Sequence, residues 1–384
     1  MRVLILHSRY LSGAASGENR VAEDEARLLR DAGHHVAVWA PEPAVGGAGG
    51  MVKAGLSTVW SPSAVARVRK RIRSSNAEIV HVHNLFPMIS PAVLRAADEE
   101  GAAVLVTLHN YRLLCLPATF LREGKICEAC LGRVPWRGVR FRCYRDSLPG
   151  SAALAASITL HRSIRTFSHV RRFLAVSEFV RSKYVEAGFA PGQIVVKPNF
   201  TVDAERRRGP GDYFLYLGRL SPEKGVETVV RGWRAELGRL LVVGDGPSAD
   251  AVRSLAPEGV EFRGAVESTA VPAILSRARA LLVPSRWYEA APRSITEAYA
   301  AGVPVLASRI GALEEAVEDG ASGLLVSLDD EERWYDAMKR LSDDEESERL
   351  GAGARALWSA RFSPERGLEA LEAVYREAAS ARSG

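Results

Sequence analysis

The chain has 384 residues, 47% of them hydrophobic and 25% charged, with a net charge of +5. That length fits two domains of common size, and the composition is ordinary for a soluble globular protein. The opening MRVLILHSRY holds an apolar run of only a few residues, which excludes a signal peptide or membrane span and leads us to expect a cytoplasmic protein.

The charge is unevenly shared. Residues 1–200 carry 27 Lys+Arg against 15 Asp+Glu, a balance of +12; subtraction from the totals of 51 and 46 leaves 24 against 31, or −7, for residues 201–384. Two readings stand: the first half meets something anionic, such as a phospholipid surface or a phosphorylated acceptor, or surface charge drifts in an Arg-rich, Ala-rich composition. All four cysteines fall between Cys115 and Cys143. A cytoplasmic setting argues against a disulfide framework and leaves thiols or a metal site.

In chain order, Arg2–His7 reads as a strand, followed by a loop with Gly13 and Gly17. Apolar Val21, Ala22, Leu28 and Leu29 recur at helical spacing to about Asp31, and Gly33 stops the helix. Strands follow at His35–Ala40, Glu78–His83, Ala103–Leu108 and Phe173–Val176. They are apolar throughout, which suits a parallel sheet covered on both faces. Around Pro198–Gly211 the chain turns polar and rich in Pro, Gly and Arg, a linker signal. A second series follows at Tyr213–Leu217, Leu240–Val243, Val260–Arg263, Ala280–Val283, Pro304–Ala307 and Gly323–Val326. The predicted fold is α/β: two Rossmann-like, doubly wound domains facing across a cleft, with loops at the carboxyl ends of their strands. The boundaries are 1–200, with a cysteine-bearing insert at 111–147, and 201–362. A closing helix within 363–384, apolar at Leu368, Leu371, Val374 and Tyr375, is expected to pack back on the first domain.

The second domain concentrates anion-binding chemistry. Leu217-Gly218-Arg219-Leu220-Ser221-Pro222-Glu223-Lys224-Gly225 follows a strand and is predicted to open a helix, with Ser221 as N-cap and Pro222 at N1. Unpaired N–H groups at such a start attract phosphate, and Arg219 and Lys224 add two positive charges. Downstream, Glu289 lies in a loop and Glu297, eight residues on, more than a turn inside the next helix. Carboxylates held this way accept hydrogen bonds from pairs of hydroxyls.

Four segments together carry a resemblance: Gly-Arg-Leu-Ser-Pro-Glu-Lys-Gly, Val243-Gly244-Asp245-Gly246-Pro247, the Glu289-x7-Glu297 pair, and Ala301-Gly302-Val303-Pro304-Val305. They resemble family four of the retaining glycosyltransferases, which have the GT-B fold. The match covers essentially the whole chain and is tightest over 216–326. The resemblance implies that a nucleotide-diphosphate sugar, of UDP or GDP type, is the donor. Arg219 and Lys224 would hold its diphosphate beside Gly218 and Gly246. Glu297 would bind the ribose and Glu289 the hydroxyls of the transferred sugar, with Ala291, Pro292 and Arg293 close by. Gly17, and next Gly13, would approach the donor phosphate from the first domain. Val106-Thr107-Leu108-His109-Asn110 is similar to the family's Thr-x-His-Asp, which puts His109 at the donor sugar; Asn110 departs from the usual Asp. His81 and His83, at alternate positions of a neighbouring strand, are read as structural or acceptor-side groups, since the family works without a catalytic metal. The departing diphosphate can itself take the acceptor proton, so the catalytic set His109, Glu289, Arg219 and Lys224 works mostly by positioning, with Arg219, Lys224 and helix N-termini neutralising the departing phosphate.

Cys115-x11-Cys127-x2-Cys130-x12-Cys143 offers the ligand count of a closed structural zinc site, in a stretch with little core of its own. Basic clusters at Arg67, Arg69, Lys70, Arg71 and Arg73, and at Arg162, Arg165, Arg171 and Arg172, are either solvated faces or a peripheral dock for anionic membrane at the inner surface. The acceptor is a saccharide, a natural product or a lipid-linked molecule. Competing readings are a sugar phosphorylase or nucleotide-sugar epimerase of the same fold, and a nucleic-acid binder with a zinc-bound loop. The last lacks a recognition helix or aromatic RNA-binding motif, so no nucleic-acid partner is expected.

Overall fold

Two six-stranded parallel sheets organise the chain in a computed structural model that describes residues 1–9, 17–42, 55–328 and 330–380. Gly13 lies outside the described residues. The first unit comprises Met1–Phe120, Cys127–Lys197 and Leu368–Gly384; the second comprises Leu121–Ile126 and Pro198–Gly367. The fold is therefore α/β with two doubly wound halves.

In the first unit the strands are β1 (Arg2–His7), β2 (His35–Trp39), β3 (Ile79–Asn84) and β4 (Ala103–Leu108). After a hairpin of β5 (Leu121–Arg122) and β6 (Lys125–Ile126) come β7 (Arg172–Ala175) and β8 (Ile194–Val196). The sheet order is β2-β1-β3-β4-β7-β8. Every residue of β3 and β4 is buried, as apolar central strands covered on both faces must be. Strand β8 was not foreseen: three residues, Ile194-Val195-Val196, are too short to show periodicity, yet they pair with β7. The Gly17–Asp31 helix packs Ala26 and Leu29 on this sheet. The helix Pro364–Ser380 adds Leu371, Val374, Tyr375 and Ala378 to the same cluster.

The second unit runs β9 (Tyr213–Leu217), β10 (Leu240–Val243), β11 (Val260–Gly264), β12 (Ala278–Val283), β13 (Val305–Ser308) and β14 (Gly323–Val326). Its order, β11-β10-β9-β12-β13-β14, is the 3-2-1-4-5-6 arrangement of dinucleotide-binding sheets. Edge strand β11 alternates half-buried and exposed residues, as an edge with one wet face should. The hairpin within the expected insert groups with this unit, where Ile126 packs against its core.

The polar stretch after Pro198 is pinned to the second unit. Arg207 donates to the carbonyls of Pro210, Arg279 and Ser347 and to the Ser347 hydroxyl, and burial lowers its pKa to about 10. Composition alone reads this segment as a solvated linker because it reveals no side-chain-to-carbonyl anchoring.

Candidate functional site

The order of the second sheet reverses between β9 and β12, and ligands of open α/β sheets bind outside the strand ends at such a point. The loops leaving those two strands carry Arg219 and Lys224 after β9 and Glu289 after β12. The backbone of the first loop differs from the sequence expectation. Pro222–Lys224 form a single 3-10 turn, and the α-helix Val226–Arg231 begins only after Gly225. Ser221 does not cap a helix with its side chain; its hydroxyl donates to the Glu223 carboxylate at 2.6 Å. The break is imposed by Gly225, whose φ of +67° and position leave no room: a Cβ there would meet the Pro284 carbonyl at 1.9 Å.

Glu289 is the fixed point of this site. It is 5% exposed, and its Oε1 accepts from Lys224 Nζ at 2.7 Å, Ser285 Oγ at 2.7 Å and Trp287 Nε1 at 2.9 Å. Burial alone would raise its pKa, but the Lys224 charge and these donors together hold the carboxyl below its usual value. The Lys224 ammonium also stands 5.4 Å from the centre of the Trp287 ring. Ser285 and Trp287 were not singled out from the sequence, although both lie within four residues of Glu289.

Arg219 differs from Lys224. It is exposed and, among the described residues, makes no ion pair, so its guanidinium is available to an incoming anion, while its carbonyl accepts from Tyr216 Oη at 2.8 Å. Gly218 and Gly246 sit in neighbouring loops; a Cβ on Gly246 would meet the Leu220 carbonyl at 2.3 Å, so that position requires glycine for packing. Ala291, Pro292 and Arg293 are all half-buried at the start of the Arg293–Ala300 helix. One turn in, Glu297 accepts from Arg293 Nε at 2.7 Å. The second carboxylate is thus half-buried and held at the helix surface by Arg293.

In the first unit, His109 follows β4 and is 8% exposed. With His83, Asn84, Phe86, Asn110 and Tyr184 it lines a small cavity. Behind it runs a buried chain: His109 Nε2 lies 2.9 Å from His83 Nδ1, and His83 Nε2 lies 3.4 Å from Glu25 Oε2, whose other oxygen pairs with Lys197. His81 bonds Tyr375 Oη at 2.8 Å and Thr107 Oγ1 at 2.7 Å. Burial lowers the pKa values of His83 and His109 well below normal, and that of His81 to about 3, so all three are neutral at physiological pH. Among the described residues, Glu25, His81 and His83 alone form a set of three ligand atoms within 4.8 Å. Its fit to a metal ion is poor, because Tyr375 and Thr107 take both nitrogens of His81 and the Lys197 ammonium sits against Glu25 Oε1, although Glu25 Oε2 and His83 Nε2 are buried with no hydrogen-bond partner. Glu25 and Lys197 are 172 residues apart, and no local pattern announces their meeting.

Asn110 donates from Nδ2 to Glu18 Oε1 at 2.6 Å. An Asp there would confront that carboxylate with a second negative charge, which accounts for the departure noted in the sequence. Gly17 begins the Gly17–Asp31 helix with open space around it.

No three of the cysteine sulfurs lie within 4.8 Å of one another, although Cys130 is within electrostatic reach of both Cys115 and Cys127. Cys115 is buried, and burial chiefly pushes its thiol up to about 11. The insert also has its own core, with Tyr111, Leu114, Leu116 and Phe120 buried. The basic clusters are largely engaged. Arg69 pairs with Glu99 and Arg73 with Glu100, Arg67 and Arg71 lie over Trp39, Arg162 donates to two carbonyls, and Arg172 pairs with Glu377. Among the described residues no helix is long and apolar enough to cross a membrane.

Two family models match the chain: Glycosyltransferase Family 4 over residues 15–206 and Glycosyl transferases group 1 over residues 211–344. Alpha-D-kanosaminyltransferase of Streptomyces kanamyceticus is 31% identical over 355 residues, covering 84% of each chain. D-inositol 3-phosphate glycosyltransferase of Acidothermus cellulolyticus is 34% identical over 336 residues, 79% of this chain and 68% of that protein. Among solved structures, the sucrose-phosphate synthase of Thermosynechococcus elongatus superposes with a TM-score of 0.71 at 18% identity, over 99% of this chain and 100% of that one. HepE of Anabaena, in complex with UDP, gives 0.65 at 17% identity over 97% and 99%. At such identities the two structures speak to the fold.

Proposed function

The chain belongs to glycosyltransferase family 4, and from that premise we propose that it is a retaining enzyme that moves a sugar from a UDP- or GDP-type donor to an acceptor hydroxyl. The observation that carries this reading is the conjunction, at the switch point of a 3-2-1-4-5-6 sheet, of an available arginine and a lysine already oriented by a buried glutamate. Arg219 and Lys224 neutralise the diphosphate as it departs. Glu289, held below its ordinary carboxyl value by Lys224 and its hydrogen-bond donors, accepts from hydroxyls of the transferred sugar, and Glu297 takes the ribose. The relatives that carry sugar-transfer names, and the UDP complex of HepE, support a nucleotide-sugar donor.

His109 acts as a neutral hydrogen-bonding group toward the donor sugar, because its buried surroundings exclude an imidazolium. No enzymic base of ordinary strength is then required, since the leaving diphosphate takes the acceptor proton on the face it vacates. The acceptor is a saccharide, a natural product or a lipid-linked molecule, and the basic first half of the chain makes peripheral contact with anionic membrane at the inner surface.

The test is to incubate the enzyme with UDP- and GDP-sugars and follow release of the diphosphate and the anomer of the freed sugar by NMR, with water as surrogate acceptor. Release without added phosphate, with the donor's configuration kept in the first product, supports the reading. A strict requirement for inorganic phosphate identifies a phosphorylase, interconversion of the nucleotide sugar an epimerase, and an inverted first product refutes retention.

A further inference from the structure

We infer that the surface of the insert between Cys130 and Leu148 is the part of this protein that seats on an anionic lipid bilayer. Val134, Trp136, Phe141 and Leu148 are 47%, 47%, 46% and 49% exposed, a dense group of large apolar side chains left in water. Interleaved with them are Arg133, Arg137, Arg140, Arg142 and Arg145, all exposed, with no acidic residue between Glu128 and Asp146.

Many exposed arginines elsewhere meet carboxylates, as in Arg73 with Glu100, Arg239 with Glu261 and Arg277 with Asp212. Among the described residues none of the five in the insert makes an ion pair; Arg140 and Arg145 lie instead 5.8 and 5.4 Å from the rings of Phe141 and Tyr144. Five uncompensated charges need an anionic partner, and four apolar side chains on the same stretch need somewhere to be buried. A bilayer of acidic phospholipid supplies both, the arginines at headgroup depth and the rings and aliphatic chains below them. A nucleic acid would satisfy the charges and stack on Trp136 and Phe141, but it offers nothing to Val134 and Leu148. The basic clusters noted in the first unit are less suited, because Arg69, Arg73 and Arg172 already have carboxylate partners.

The segment is held firmly enough to act as a platform. Gly138 lies so close over Leu116 that a Cβ would meet its Cδ1 at 2.7 Å. Its neighbouring helix, Leu148–Ser163, is capped by Ser147, which accepts from the Gly150 N–H at 3.1 Å. This inference rests on the membrane contact proposed above and is independent of the transfer reaction.

The experiment is flotation of the full-length protein with vesicles of equal phosphatidylglycerol and phosphatidylcholine, and with phosphatidylcholine alone. The wild type should float with the first and not the second. A variant with Arg137, Arg140, Arg142 and Arg145 all changed to Gln should lose about fivefold in partition per arginine, a loss of several hundredfold. Trp136→Ser combined with Phe141→Ser should lose about tenfold or more while keeping its charge. Nucleotide-diphosphate binding, read on the same preparations, should be unchanged and reports that the variants fold. If the wild type ignores both vesicles, or binds heparin and RNA instead, the inference and the membrane reading fail together. If it floats and the variants float equally, the membrane reading stands and this surface is not the contact.

Discussion

Replacing Glu289 by glutamine preserves the shape of the side chain while removing its charge. In the native protein one carboxylate oxygen accepts from Lys224, Ser285 and Trp287. The amide carbonyl of glutamine can keep the Ser285 and Trp287 donors, so the loss falls on the ionic part of the Lys224 contact. A hydrogen bond between charged groups contributes roughly 1.5–3 kcal/mol, and the Lys224 side chain, 27% exposed, argues for the lower end: about 1–2 kcal/mol. For a unit of this size that corresponds to a fall of about 3–6 °C in Tm at pH 7. The pH dependence has a definite sign. Because the folded Glu289 carboxyl is held below its ordinary value, its stabilisation is complete above that value and disappears as pH falls through the folded one. The wild type should therefore lose its advantage as pH falls through and below the ordinary carboxyl value of about 4.3, and the two melting curves converge in acid. Thermal unfolding of both proteins across that range is the assay. Equal Tm values at pH 7, or a gap that does not change with pH, would refute the ion-pair account of Glu289. Turnover should fall in parallel by roughly 10²-fold, since Lys224 is no longer oriented.

Arg219→Ala should leave stability within about 0.5 kcal/mol of the wild type, because the side chain is exposed and among the described residues makes no ion pair, while transfer rate drops roughly 10²-fold; steady-state kinetics beside a melting curve separates the two. Asn110→Asp places a carboxylate against Glu18 where an amide now donates at 2.6 Å, and should cost about 1–3 kcal/mol at pH 7, relieved by acid. Lys197→Met leaves Glu25 as a buried charge without its ammonium partner and should destabilise by about 3–5 kcal/mol in denaturant titration. Gly225→Ala drives a Cβ into the Pro284 carbonyl and should reduce both stability and nucleotide affinity, measured by calorimetry.

The fold was legible where strands are long and apolar. Leu240–Val243 and Gly323–Val326 stand where their hydrophobic runs put them, and the closing helix follows its apolar face of Leu371, Val374 and Tyr375. What escaped was whatever depends on meetings between distant residues. Nothing near Arg207 in sequence predicts Ser347, and nothing near His83 predicts Glu25 and Lys197. At the site, residue types were readable but their states were not. Lys224 and Arg219 look equivalent in the motif, yet one is orientated by Glu289 and the other faces solvent. Glu289 looked the less constrained of the two carboxylates because it lies in a loop; Ser285, Trp287 and Lys224 make it the more tightly held. The cysteine spacing left the insert's geometry open: the chain there packs around Leu116 and Phe120, with Cys115 buried and the other three half-buried.

The central claim, that Arg219 and Lys224 form the anion-binding heart of a nucleotide-sugar site, is tested most directly by calorimetric titration of UDP and GDP into the wild type and into Arg219→Ala. The account predicts saturable binding of one of the two diphosphates by the wild type, weakened at least tenfold (about 1.4 kcal/mol) in the variant. Binding of neither diphosphate, or equal affinity in both proteins, would contradict it.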